Sequence, residues 1–241
     1  KKMISNIGNI LIFGSIFFTL SIIYISYQNL KTKNFKIGNG LVYYSILQIT
    51  FIIVSFLLLI FAFIFSDFSL LGVYQNSHTS KPFFYKVAGV WGNHEGSLLL
   101  WINVMVIFSY LFFVFNVKSN KIYSLYTLLV QNILILGFLI FLVSSSNPFF
   151  KIIPTPTEGL GLNPILQDPA LAIHPPLLYL GFVGSSIYFS AAIGAVLSNI
   201  IGKKFASSIK IWVLISWSFQ SLGIIVGSIW AYYELGWGGF W

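Results

Sequence analysis

The sequence contains almost no charge and no cysteine. Only 7% of its 241 residues are charged, against roughly 25% in an ordinary soluble domain, while 57% are hydrophobic. A soluble globule could not keep such a surface in water, and a disordered chain would be far less hydrophobic. The lack of cysteine also excludes a disulfide-stapled secreted domain. The composition therefore predicts an integral membrane protein.

Arginine is absent as well, so all 13 basic residues are lysine. Arginine is the usual reader of phosphates and bases, and these lysines lie between apolar runs rather than among aromatic residues. Nucleic-acid binding is therefore not expected, and the lysines are interpreted as loop charges. Heavy use of Ile, Phe, Asn and Lys is typical of an AT-rich, organellar genome. It favours the mitochondrial inner membrane, with a bacterial inner membrane as the alternative.

Six stretches carry no charge, and each exceeds the ~20 residues that a helix needs to cross the bilayer. Their continuous hydrophobicity differs from the alternation of barrel strands. The predicted fold class is therefore all-α, a polytopic integral membrane protein with about six transmembrane helices. These helices are expected near residues 4–27, 41–66, 97–117, 122–145, 174–200 and 211–231. We assign residues 1–66 to the first two helices and residues 67–241 to a second membrane domain.

The lysines are distributed unequally between the two ends of this predicted bundle. One end has short loops with lysines and no acid, whereas the other has two long connections and all five acidic residues. The positive-inside rule places the lysine-rich end in the cytoplasm or mitochondrial matrix. Both termini and all three histidines are then expected on the outer face. No ionisable residue lies near the middle of a predicted span, which weighs against an ion pump.

The first dense polar patch begins at Trp91, in the segment 90–101. Trp91 suits an interfacial aromatic belt. His94 and Glu95 begin like a zinc-protease HExxH motif, but Leu98 stands where the second histidine would be, so that site is excluded. Glu95 is expected to cap or charge the start of the following helix. His94 is either a ligand or a hydrogen-bonded side chain at the interface.

A second patch places His174 directly before Pro175 and Pro176, shortly after Asp168. Prolines fit the first turn of a helix, whose N–H groups have no helical partner. His174 is therefore predicted at a helix start on the outer membrane surface. A neutral imidazole in an apolar, aromatic setting is the commonest iron ligand in haem proteins. A histidine hydrogen-bonded at the interface is the alternative.

The C-terminal segment 230–241 alternates aromatic residues with glycines. Such a segment forms a flat, closely approachable surface that suits a large planar apolar ligand, and an interfacial belt is the alternative. Its tightest part consists of Trp237, Gly238, Gly239, Phe240 and Trp241. Because no polar tail follows, we expect a truncated or split chain.

Four motifs together resemble the CcmF family of cytochrome c maturation proteins, the haem-lyase component. They are WGNHEGSLLLW at 91–101, NPF at 147–149, GLGLNPILQDPALAIHPPLLYLGFVG at 159–184 and AYYELGWGGFW at 231–241. They occur in the family's order and cover roughly residues 85–241. The resemblance implies that residues 67–241 are the N-terminal part of a haem-handling membrane domain with haem as its cofactor.

In this family a tryptophan-rich outer-face segment of the form WGxxWxWD holds haem, and two flanking histidines ligate its iron. His174 matches the first of these histidines, and residues 237–241 match the opening of the segment. Trp91, His94, Glu95, Asp168, Pro175 and Pro176 are possible supporting residues. The resemblance assigns no catalytic side chain.

The activity implied is attachment of haem vinyl groups to the two thiols of a CxxCH motif in apocytochrome c. This chain would be the N-terminal portion of the haem lyase. The implied partners are a C-terminal portion, on a separate chain or in a missing segment, apocytochrome c, other cytochrome c maturation proteins and the lipid bilayer. Two alternatives remain open: a haem chaperone or export subunit without catalysis, and a degenerate scaffold in a larger inner-membrane assembly.

Overall fold

The computed structural model describes residues 2–32, 39–164 and 167–236, and in these ranges the chain forms nine helices. Their bounds are α1 Lys2–Lys31, α2 Asn39–Ile64, α3 Leu71–Asn76, α4 Phe83–Ala88, α5 His94–Asn116, α6 Lys121–Ser145, α7 Pro169–Phe182, α8 Ser185–Leu197 and α9 Lys203–Glu234. Helices α7 and α8 together make one span, so six segments are long and apolar enough to cross a membrane. The predicted all-helical membrane fold is confirmed.

Helices α1 and α2 pack through stripes of small, polar and aliphatic residues that recur every three or four positions. This average spacing of 3.5 residues is the period of a left-handed helix pair. In a bilayer, small residues let helices approach closely where hydrophobic burial gives no net attraction. The buried positions of α1 are Ser5, Gly8, Ile12, Ser15, Thr19, Ile22 and Ser26, and those of α2 include Leu41, Ser45, Gln48, Ile52, Ser55, Leu59 and Ala62.

A buried hydrogen-bond network ties these two helices to the rest of the bundle. The amide of Gln48 donates to Thr19 Oγ1 at 2.7 Å and to Asn132 Oδ1 at 2.9 Å. All three side chains are at most 2% exposed. The network therefore joins α1, α2 and α6 at a depth where water cannot satisfy a polar group. These neutral polar residues were not predicted, because only ionisable side chains were expected to matter inside the spans.

The long connections 65–93 and 146–164 lie together at one end of the bundle, which we call the loop end. Leu71 donates its backbone N–H to the carbonyl of Phe150 at 2.9 Å, and Leu160 donates to that of Tyr74 at 2.8 Å. The NPF motif docks on α1, because Ser5 Oγ donates to the carbonyl of Phe149 at 2.8 Å. The two connections thus form one cap over the helix ends.

The carboxylate of Glu158 joins the two connections of this cap. Glu158 accepts hydrogen bonds from the backbone N–H and hydroxyl of Thr79 and from the N–H of Gly159. These bonds, the hydroxyl of Thr79 foremost, lower the pKa of Glu158 to about 2. His78 Nε2 lies 3.9 Å from Glu158 Oε1. The carboxylate of Glu158 therefore stays charged across the physiological pH range.

Candidate functional site

Helix α7 begins five residues earlier than predicted, and this changes the place of His174. Asp168 is the N-cap, and its Oδ1 accepts the N–H of Leu171 at 3.0 Å. Pro169 occupies the first helical position, which suits a residue without an N–H. The prediction that His174 starts the helix, with Pro175 and Pro176 in the first turn, is wrong. Both prolines lie inside α7, because the upstream Asp-Pro pair supplies the stronger start signal.

The internal prolines leave carbonyls without helical donors, and Trp91 satisfies one of them. Pro176 has no N–H to give to the carbonyl of Ala172, four residues earlier. The indole Nε1–H of Trp91 donates to this carbonyl at 2.9 Å. Trp91 therefore connects the turn before α5 to the proline-containing turn of α7 through a hydrogen bond. This hydrogen bond was not predicted, since Trp91 was expected only in an aromatic belt.

His174 faces α9. Its Nδ1 lies 2.7 Å from the carbonyl oxygen of Gly223. A carbonyl only accepts, so Nδ1 carries the proton, and in the neutral ring Nε2 keeps its lone pair. Within the described ranges no hydrogen bond to Nε2 is seen. The ring packs against Gly227, where a Cβ atom would lie 2.6 Å from Cε1 and 2.7 Å from Nδ1.

This arrangement fits a haem-iron ligand. Histidines that bind metals commonly donate the other ring N–H to a carbonyl or carboxylate, which sets the tautomer and the orientation of the ring. For His174 the Gly223 carbonyl is the group that accepts this N–H. The imidazole is therefore oriented by the protein itself, and Nε2 is free of protein hydrogen bonds in the part of the chain that the structure describes.

The polar patch 90–97 is a tightly hydrogen-bonded turn that starts α5. Asn93 is the N-cap, and its Oδ1 accepts the N–H of Gly96 at 2.8 Å. Ser97 Oγ donates back to the carbonyl of Trp91 at 2.7 Å. A Cβ atom on Gly96 would overlap the carbonyl oxygen of Val90. The glycine is thus required by close backbone contact.

His94 and Glu95 lie in the first turn of α5 and point to different surroundings. The Nδ1 atom of His94 lies 2.9 Å from Ser146 Oγ, and its ring packs edge-to-face on Phe141. Glu95 supplies the acidic residue of the first turn, as expected, whereas the side-chain cap comes from Asn93. Glu95 lines a separate small cavity near Leu71.

The structure brings some predicted site residues together and separates others. Trp91, His94 and Pro175 line one cavity of about 530 Å³, while His174 packs against α9. Asp168 does not line this cavity, and its role in the structure is the N-cap of α7. The predicted haem-binding residues Trp237, Gly238, Gly239, Phe240 and Trp241 lie outside the described residues.

Comparison with known proteins gives consistent matches. The model of the cytochrome C assembly protein family matches residues 91–241. The cytochrome c-type biogenesis protein CycK of Rhizobium meliloti is 49% identical over 187 residues, which cover 78% of this chain and 28% of that protein. CcmF of Escherichia coli is 45% identical over 188 residues, covering 78% and 29% respectively.

A solved structure of the cytochrome c haem lyase CcmF has a TM-score of 0.81 at 24% identity. The similarity covers 99% of this chain and 38% of that one, and it shows the fold. The chain spans less than a third of the length of the curated relatives it matches.

Proposed function

This chain belongs to the cytochrome c assembly protein family, and from that premise we propose that it is the N-terminal portion of a membrane haem lyase. The assignment to cytochrome c biogenesis of the CcmF type is supported by the family match and by the relatives. Our proposal adds that haem binds at the loop end and is attached there to the CxxCH thiols of apocytochrome c.

The observation that carries this proposal is the orientation of His174. The Gly223 carbonyl holds the ring through Nδ1–H and leaves Nε2 available as an axial iron ligand. Helix α9 supplies this carbonyl and leads into residues 237–241. We propose that Trp237, Gly238, Gly239, Phe240 and Trp241 provide the aromatic surface against which the porphyrin lies.

The role of these residues is to position the reactants rather than to supply reactive groups. Bound haem would supply two vinyl groups, to which the two thiols add as thioethers. The chain has no cysteine, so neither thiol comes from it. His174 would bind the iron and, with residues 237–241, restrict rotation of the ring plane. Fixing geometry in this way converts an encounter into an effectively intramolecular reaction.

The partners proposed are a C-terminal portion, on a separate chain or in a further segment, other maturation proteins and apocytochrome c. Residues 1–66 are proposed as the supporting helices and residues 67–241 as the haem-handling part. The remaining residues would support the site indirectly. Asp168 begins α7, and His94 and Glu95 lie in the first turn of α5. Pro175 and Pro176 lie inside α7, where Trp91 binds the Ala172 carbonyl.

The test is an absorption spectrum of the purified complex that contains this chain, before and after His174→Ala. We expect the Soret band to be lost and c-type cytochromes to stay immature, because Nε2 is the ligand. His78→Ala is the matched control and should leave both unchanged, since His78 contacts Glu158 in the cap. Haem loss with maturation preserved would instead establish the chaperone alternative. An unchanged spectrum would contradict the proposal and favour a scaffold.

We propose that the loop end faces the intermembrane space or periplasm. The lysine asymmetry supports this orientation, and six spans bring both ends of the chain to one side. The membrane proposed is the mitochondrial inner membrane on composition, with the bacterial inner membrane as the alternative.

Orientation can be measured directly because the chain lacks cysteine. Single cysteines are introduced by Thr155→Cys at the loop end and by Lys118→Cys at the opposite end, both exposed positions. A membrane-impermeant maleimide applied from the outer side should label only the first. Labelling of only the second would reverse the orientation.

A further inference from the structure

The cavity of about 530 Å³ at the loop end lies against a different face of α7 from the one that packs on α9 through His174. Its walls come mainly from α5, α6, α7 and the turn before α5, with Ala88 of α4 and Leu162 completing them. Leu171, Ala172, Pro175 and Tyr179 contribute the α7 wall, whereas His174 packs against α9. The volume lies within the range of small-molecule sites, about 300–1,000 Å³. The cavity is therefore separate from the proposed haem ligand.

The walls of this cavity are aromatic and held in place. Trp91 is fixed by its bond to the Ala172 carbonyl. At the deep end Trp101 packs on three rings, with centroid distances of 5.8 Å to Phe138, 5.7 Å to Tyr179 and 5.8 Å to Phe182. From His94 to Trp101 the helix rises about 10 Å. The cavity thus extends from the edge of the span into the membrane.

Among the described residues, no charged side chain lines the cavity. An anionic or cationic ligand would enter without a counter-charge, at a large desolvation cost. The wall hydroxyls are already engaged, because Ser97 donates to the Trp91 carbonyl and accepts from Tyr179. His94 differs, since only its Nδ1 is engaged, by Ser146. Its Nε2 is the polar atom left for a ligand.

One wall of the cavity consists of exposed apolar side chains on membrane-spanning helices. Phe141 lines it from α6 and is 45% exposed within a membrane-spanning helix. Phe182, which packs on the deep end, is 53% exposed. These exposed apolar side chains lie on membrane-spanning helices, so the cavity is open toward the bilayer on this side.

We propose that this cavity binds an uncharged, ring-headed amphiphile from the bilayer, with its ring against Trp91 and Trp101 and its oxygen hydrogen-bonded to His94 Nε2. The aromatic walls favour a ring over an alkyl chain, because ring pairs gain from offset or edge-to-face contacts. The absence of charge in the described lining selects a neutral head. This site gives the patch 90–97 a binding role that does not depend on haem.

The probe for this test is 2-bromo-4-octylphenol, titrated into the full protein in lipid nanodiscs. Bromine quenches tryptophan fluorescence at contact. We expect a saturable component above a linear bilayer background. Trp101→Phe should remove much of that component. Trp217→Phe is the matched control, since Trp217 is 66% exposed and does not line the cavity. The control should reduce only the background.

Two further variants test the site itself. His94→Ala should raise the half-saturating concentration about tenfold, the effect of one hydrogen bond. Ala172→Phe should abolish saturation, because Ala172 is buried in the wall and a phenyl group would enter the cavity. If this variant does not fold, His94→Ala still decides the question, since His94 is exposed and the Trp91 and Trp101 contacts do not involve it.

Two comparison probes test the chemistry of the head. The anion 3-bromo-4-octylbenzoate and the ringless 12-bromododecan-1-ol should both give only the linear background. Equal saturation by either probe would overturn the proposal, as would equal responses of the Trp101 and Trp217 variants, which would mean that lipid chains simply fill the space. None of these readouts involves haem, so failure here leaves the proposed lyase function untouched.

Discussion

Replacing Gly227 with alanine should remove the Soret band as completely as removing His174 itself. The new Cβ would lie 2.6 Å from Cε1 and 2.7 Å from Nδ1 of His174, well inside contact distance. The imidazole is the movable partner, because it is the end of a side chain, whereas Gly227 is part of a continuous helix. The ring must therefore leave the Gly223 carbonyl, and Nε2 loses its orientation.

Fold stability should hardly change in this variant. Alanine favours a helix over glycine by about 1 kcal/mol, which offsets the cost of moving one ring. The measurement is the Soret absorbance per protein together with thermal unfolding in detergent. Gly137→Ala is the control, since a Cβ there meets no atom within 4 Å. A normal spectrum in the Gly227 variant would show that the contact with Gly223 does not position the ligand.

Replacing Gly96 with alanine should prevent stable folding of the loop end. The Cβ would overlap the Val90 carbonyl oxygen and lie 2.8 Å from its carbonyl carbon. Here the obstacle is backbone, held by Asn93, whose Nδ2 donates to the Val90 carbonyl at 3.1 Å. No rotamer change can relieve this overlap, so the turn must open. We expect a loss of roughly 3 kcal/mol or more in unfolding free energy.

The result would appear as a low yield of folded protein and a lowered melting temperature. Gly40→Ala is the matched control, because Gly40 also lies in the first turn of a long helix and a Cβ there meets no atom within 4 Å. Equal stability of the Gly96 and Gly40 variants would contradict the close approach. Proteins with an opened turn should also lose the contact between Ser97 and Trp91.

Some features of this fold were readable from local chemistry. The six spans follow from runs without charge, because a helix in lipid satisfies its own backbone and needs only apolar side chains. The Asp168-Pro169 pair also signals a helix start, by an acidic N-cap followed by proline at the first position. Our prediction preferred the later prolines, and the structure shows that the earlier pair begins the helix.

Other features were present in the sequence as signals that were not used. The 3.5-residue spacing of small residues in α1 marks a packing face, and it distinguishes that helix from a uniformly lipid-facing one. Likewise, Gln48 and Asn132 are expensive to place in hydrocarbon. Each therefore predicts a partner on another helix, although no spacing rule says which one.

The sequence by itself determined that this is a helical membrane protein and supplied the candidate site residues, since composition and short motifs act over a few turns. Only the tertiary structure decided which of those residues line the cavity and which pack against α9. Residues 174 and 175 are neighbours in the chain, yet one packs on α9 and the other lines the cavity. Successive residues of a helix are about 100° apart around its axis. What each one faces is therefore decided by helices that pack from distant parts of the chain.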